Sequence, residues 1–188
     1  PVSTFELDLV RFDPETLLAP NISERLRDPT LRWEQLHTRN FERVLENVRV
    51  VLNDGFRNNP MFVPLSSQEM FFVAKELSHV IDTRITALVH DAEGPAGVVL
   101  CIPDLNPMLR AMRSRLSITA PLHLLMHRLH RRRAVIIFYS VAQRRQGQGP
   151  NGAMLYRVTE ALKRHGYTSL GITWIADVNA ASLRQMER

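Results

Sequence analysis

The chain has 188 residues, 45% of them hydrophobic and 23% charged, which fits one domain with a sizeable core rather than two small ones. No apolar run approaches the roughly 20 residues of a membrane-spanning helix. The formal charge of +5 rests almost wholly on arginine, Lys75 and Lys163 being the only lysines. The arginines are scattered apart from Arg131–Arg133 and Arg144–Arg145, and no aromatic residues are interleaved with them. An acidic ligand explains the balance as well as nucleic acid does; no nucleic-acid partner is expected, and binding through the arginines stays a lesser alternative. A lone cysteine, Cys101, excludes an internal disulfide and sits in an apolar stretch, as a core residue in the reducing cytoplasm would. No signal peptide is visible; the chain starts at Pro1 without methionine and ends inside a helical pattern, which reads as a piece of a longer chain.

In chain order, Phe5 to Phe12 alternates apolar and polar residues and reads as a first strand, closed by Asp13-Pro14. From Asn21 to Thr38 the pattern is weak, punctuated by Pro20 and Pro29, with Trp33 packing a short helix onto the body. Asn40 to Phe56 is a clearer helix with Phe41, Val44, Leu45, Val48, Val51 and Leu52 on one face, stopped by Gly55 and Asn58-Asn59-Pro60. Ser66 or Ser67 caps the next helix, with Glu69 in its first turn and Phe71, Phe72, Ala74, Leu77, Val80 and Ile81 as its apolar side. Arg84–Val89 and Gly97–Ile102 then form two strands joined by an acidic Gly/Pro turn, as in a hairpin.

The segment from about 103 to 133 is longer than a simple connection between neighbouring strands. It is apolar through Met108, Leu109, Met112, Leu116 and Leu122–Leu129, and basic through His123, His127, His130 and Arg131–Arg133. The histidines fall on one helical face at metal-ligand spacing, but no cysteine or acidic residue stands near them, and no metal is expected. Two readings remain: a basic amphipathic surface in 123–133 for a membrane or an acyl-carrier protein, and a lid helix with a solvated basic edge.

Ala134–Val141 is nearly unbroken in apolar character and suits a strand covered on both faces. Gln146-Gly147-Gln148-Gly149 follows, and Pro150 opens a helix that carries Ala153, Met154, Leu155, Val158, Ala161 and Leu162 and stops at Gly166. A glycine-rich loop at a helix start gathers unpaired N–H groups at the positive end of the helix dipole, where a diphosphate can approach without a Cβ in the way. The loop is neither GxGxxG with a downstream acid nor GxxxxGK[ST]. Ser169–Ile175 is a further strand, and Asp177-Val178-Asn179 caps a last helix.

This strand, loop and helix resemble the GNAT superfamily of acyl-CoA-dependent N-acyltransferases, whose signature is Gln/Arg-x-x-Gly-x-Gly/Ala after a central strand. Here it reads Gln146-Gly147-Gln148-Gly149-Pro150-Asn151, with the register set by Ala153-Met154-Leu155. Asn151 stands where the family prefers Gly or Ala, and Pro150 removes one N–H. The run of helix, Asn-rich link, Phe62-Val63-Pro64, helix and hairpin is similar to one branch of the superfamily, here with an enlarged segment before the central strand.

The resemblance implies one α/β domain over 1–188, with a mixed, splayed sheet flanked by helices and its final strands beyond Arg188. It implies transfer of an acetyl or longer acyl group from CoA to a small-molecule or lipid-like amine, with acetyl-CoA or a longer acyl-CoA as co-substrate. Val141, Gln146, Gly147, Gln148, Gly149, Asn151, Gly152 and Asn179 would bind the cofactor. The backbone of Ser140 or Val141 would polarise the thioester carbonyl, and Tyr139 is the candidate for proton handling. The tyrosine that often serves as acid in the last helix is replaced by Met186, and the central strand carries no glutamate. The alternative is a non-catalytic acyl-CoA-binding or regulatory module of the same fold.

Overall fold

The computed structural model describes residues 2–18, 20–60, 62–111, 126, 130 and 132–176. Its elements are β1 (Val2–Asp8), α1 (Pro20–Arg27), β2 (Arg32–Glu34), α2 (Phe41–Gly55), α3 (Ser67–Leu77), β3 (Thr86–Asp91), β4 (Gly94–Pro103), α4 (Asn106–Ala111), β5 (Arg133–Val141), α5 (Pro150–Arg164) and β6 (Ser169–Ala176). The strands form one 6-stranded sheet in the order β1-β6-β5-β4-β3-β2. Every pairing is antiparallel except β5 with β6, which are joined by α5 and run parallel.

Strand alternation sorts the core into two layers. Val89, Val99 and Cys101 face α5, where they pack with Met154, Leu155, Val158 and Leu162. Leu88, Val98 and Leu100 face the other way, against Val44, Leu45, Val48, Val51 and Leu52 of α2 and Met70 and Ala74 of α3. The sheet is thus covered on both faces, which is why its middle strands read as continuous apolar runs. Truncating a fully buried leucine such as Leu45 to alanine costs about 2–5 kcal/mol at such sites. Burial drives the Cys101 thiol far above its usual range, so it is an inert core residue.

The structure departs from the sequence reading in several places. β1 is Val2–Asp8 rather than Phe5–Phe12, and β3 is Thr86–Asp91 rather than Arg84–Val89, Thr83–Ile85 forming a helical turn before it. Trp33 belongs to β2, paired with Val89 of β3, and the short helix lies earlier, at Pro20–Arg27. On α3 the buried residues are Met70 and Ala74, whereas Phe71 and Phe72 are 57% and 66% exposed, and the helix ends at Leu77 before reaching Val80 and Ile81. The strand after the hairpin's first turn begins earlier than expected, at Gly94. The sheet edge beside β6 is occupied by β1 from the other end of the chain, antiparallel, with Leu7 opposite Leu170.

Gly97 on β4 lets α5 close onto the sheet: a Cβ there would stand 2.9 Å from Met154 Cε and 3.2 Å from Val89 Cγ1. Gly97→Val should therefore lower unfolding free energy by about 1–3 kcal/mol, read by chemical denaturation.

Candidate functional site

The parallel pair β5–β6 holds only from Arg133↔Ser169 to Ile136↔Ile172. Beyond that point β6 stays with β1 as far as Ala176, while β5 stays with β4 as far as Val141. The two central strands therefore part after Ile136. The parting coincides with a bulge, since Leu100 and Cys101 are adjacent on β4 but face Phe138 and Ile136, leaving Ile137 as the extra residue. From Ile137 to Val141 one edge of a central strand thus has no strand partner among the described residues. Ala142 N–H donates to Ala96 O on β4 (2.9 Å), and the alternation of a strand then turns the N–H groups of Tyr139 and Val141 towards the gap.

The open end of the gap meets the glycine loop. Gly147 and Gly149 have φ of +75° and +92°, a conformation that side-chain-bearing residues rarely adopt, and Gly149 is the N-cap of α5. The first N–H groups of α5 have no intrahelical acceptors, and they point out of the helix end beside β5.

Four neighbours brace this loop. Asp54 near the end of α2 accepts from Gln143 N–H (2.7 Å), and the Gln146 amide donates to Gly55 O and Val141 O (both 3.1 Å). Asp91 at the end of β3 accepts from Arg144 (2.9 and 3.1 Å) and Arg145 (2.8 Å). Arg25 of α1 donates through Nε to Gln148 O (2.8 Å). Ile22 of α1 fills the place that a Cβ on Gly152 would take. The bonds from Arg144, opposed by burial and reinforced by Arg145 and the Glu93 N–H, hold the Asp91 carboxyl well below the usual carboxylate range.

The structure brings Tyr139, Ser140, Val141, Gln146, Gly147, Gln148, Gly149, Asn151 and Gly152 together around this junction. Tyr139 OH donates to Asn151 O (3.0 Å) on the α5 side of the sheet. Ser140 is buried on the opposite side, its hydroxyl directed to Val51 O (3.4 Å) in α2. Asn151 is exposed in the first turn of α5. Asp177, Asn179 and Met186 lie outside the described residues, as do His123, His127 and most of 123–133; His130 is exposed, with Nδ1 3.0 Å from Met126 O. Sequence reading did not find Arg25, Asp54 or Asp91. Their contacts with the loop cross 123, 89 and 53–54 positions, and nothing local marks them.

No protein-family model matches the sequence. A stretch of 82 residues is 28% identical to a bacterial ceramide synthase of Caulobacter vibrioides; the match covers 44% of this chain and 21% of that protein's length. Among solved structures, the ribosomal-protein-S18-alanine N-acetyltransferase of Escherichia coli superposes with a TM-score of 0.51 at 13% identity, covering 84% of this chain and 74% of that one. A putative acetyltransferase of the GNAT family from Desulfovibrio desulfuricans gives 0.54 at 14%, covering 84% and 82%. The C-terminal domain of a putative lysylphosphatidylglycerol synthetase from Agrobacterium fabrum gives 0.56 at 12%, covering 100% and 53%. At such identities the likeness is one of fold, and the fold is that of the GNAT N-acetyltransferases.

The Asp91 side chain is 1% exposed, so replacing it leaves two arginines without their shared acceptor. Asp91→Asn should lower stability by about 2 kcal/mol at pH 7. A carboxyl depressed in the folded state contributes in full above its unfolded pKa, near ~4, and loses that contribution as pH falls through the folded value. The gap between parent and variant in denaturant melts should hence stay constant from about pH 8 to 5 and shrink below about 4.

Proposed function

We propose that this chain is an acyl-CoA-dependent N-acyltransferase. The observation that carries the reading is the edge of β5 from Ile137 to Val141, which has no strand partner among the described residues and opens directly onto the glycine loop and the start of α5. An extended pantetheine arm presents amides that can bond such an edge as a partial strand, while the loop and helix start receive the diphosphate. Of the two backbone positions considered for the thioester carbonyl, Val141 is favoured, because its N–H faces the gap and that of Ser140 faces β4. The amine attacks the thioester carbonyl, the C–N bond forms and the C–S bond breaks. The proton lost by the amine and the one gained by the thiolate pass through solvent or a nearby hydroxyl, and Tyr139 is the strand's candidate for that role. Ser140 takes no direct part in this reading, its N–H facing β4 and its hydroxyl being turned to α2.

The apolar surroundings of the gap support a long-chain substrate. Ile137 and Phe138 at the bulge pack, half-buried, into the same apolar cluster as Phe56 and Phe62, whose rings lie 5.3 Å apart. The partial match to a ceramide synthase points the same way, a ceramide being by definition an N-acylated long-chain amino alcohol. Acetyl-CoA or a longer acyl-CoA is the donor, and the cytoplasm, where CoA thioesters are drawn on, is the compartment in this reading. A second reading, a binding module without turnover, is favoured by one observation: neither Tyr139 nor Ser140 stands beside a carboxylate on the central strand, which reads Arg-Ala-Val-Ile-Ile-Phe-Tyr-Ser-Val.

Calorimetric titration with acetyl-CoA and palmitoyl-CoA tests the reading. Binding of both is expected, tighter for palmitoyl-CoA, and absence of binding at low salt would overturn it. Gly149 is a poor place to introduce a blocking charge because its φ is +92°. Asn151→Glu is better: it sets a carboxylate at an exposed helix start, where it favours the helix and repels a diphosphate, so affinity should drop at least 10-fold with no loss of melting temperature. In an active protein, Tyr139→Phe should lower kcat by about 100-fold with acyl-CoA binding retained.

A further inference from the structure

A diphosphate brings two negative charges to a cradle that is short of donors. Pro150 at the first position of α5 has no N–H to offer. Three arginines around the loop are turned away: Arg144 and Arg145 both lie on Asp91, and Arg57 donates to Gln143 Oε1 (2.6 Å) with Asp54 4.0 Å off. Arg25 is placed differently. It reaches the loop from α1, its Nε bonded to Gln148 O (2.8 Å) and its Nη1 to Asp28 (3.0 Å), and among the described residues Nη2 has no partner. Its Cγ lies 3.5 Å from where a Cβ on Gly149 would stand, with Asn21 Nδ2 at 3.9 Å. The same face of α1 lays Ile22 over Gly152, so α1 is fastened along the first turn of α5. Glycine at these positions thus makes room for a second helix as well as for a ligand.

We propose that Arg25 is a diphosphate ligand of acyl-CoA, closing the loop from the α1 side and favouring CoA thioesters over pantetheine thioesters that lack the diphosphate. The proposal rests on the acyl-CoA reading above. Arg25 supplies the planar guanidinium that Pro150, Arg144 and Arg145 do not, and its bond to Gln148 O sets it beside the loop before any ligand arrives.

The test is calorimetric titration of CoA, 3′-dephospho-CoA and pantetheine into the parent protein, Arg25→Ala and Arg25→Lys, with thermal unfolding of each. Arg25→Ala is expected to weaken CoA and 3′-dephospho-CoA alike by about 10- to 100-fold, to leave pantetheine affinity as in the parent, and to unfold near the parent temperature. Arg25→Lys should recover part of the loss, as a point charge without the fork. Parent-like CoA binding by Arg25→Ala would overturn the proposal. So would equal weakening of all three ligands, which marks a structural role, or weakening of CoA alone, which assigns Arg25 to the 3′-phosphate. Failure of the parent itself to bind CoA would instead remove the acyl-CoA reading on which the proposal stands.

Discussion

The parting of β5 and β6 after Ile136 is the constraint around which the molecule is arranged. A strand in the middle of a sheet normally spends all its N–H and C=O groups on neighbours, and leaving several unspent costs free energy unless something else bonds them. The bulge at Ile137 and the two divergent partners, β4 for β5 and β1 for β6, hold the strands apart on both sides. With α2 and α5 packed on opposite faces near the opening, the gap cannot close by sliding the strands together without undoing both core layers. In the proposed reading, an edge left without a strand partner and kept open by the fold receives an extended polar ligand.

The loop at the mouth of the gap is held by long-range polar contacts rather than by its own sequence. Asp54, Asp91 and Arg25 come from three separate elements and converge on residues 143–148. Asp91 in particular ties the β3–β4 hairpin to the turn after β5, so the hairpin serves as a strut for the glycine loop. The adjacent arginines Arg144 and Arg145 are in the structure largely spent on this strut.

Local signals were legible where local energetics decide. The apolar run of β5, the two glycines with positive φ, Pro150 at the helix start and the capping box of Ser66 and Glu69 each follow from residues a few positions apart. Three-residue β2 has no such signature: Trp33 is a strand residue because β3 lies beside it, and a weakly patterned stretch with prolines reads as easily as a short helix. Phe71 and Phe72 share a helix with Met70 and Ala74, but α3 rests on α2 through a narrow stripe, which periodicity alone does not reveal. The seat of β1 beside β6 joins residues at opposite ends of the chain, a pairing that pattern within either strand cannot encode.

The account stands or falls on the gap edge of β5 being where the thioester arm lies. Residue-resolved amide hydrogen exchange with and without a non-reactive acyl-CoA analogue reads this directly. Slowed exchange is predicted at Tyr139 and Val141, whose N–H groups face the gap, with little change at Ala142, already bonded to Ala96 O. Exchange at Tyr139 and Val141 that stays the same at saturating analogue would contradict it.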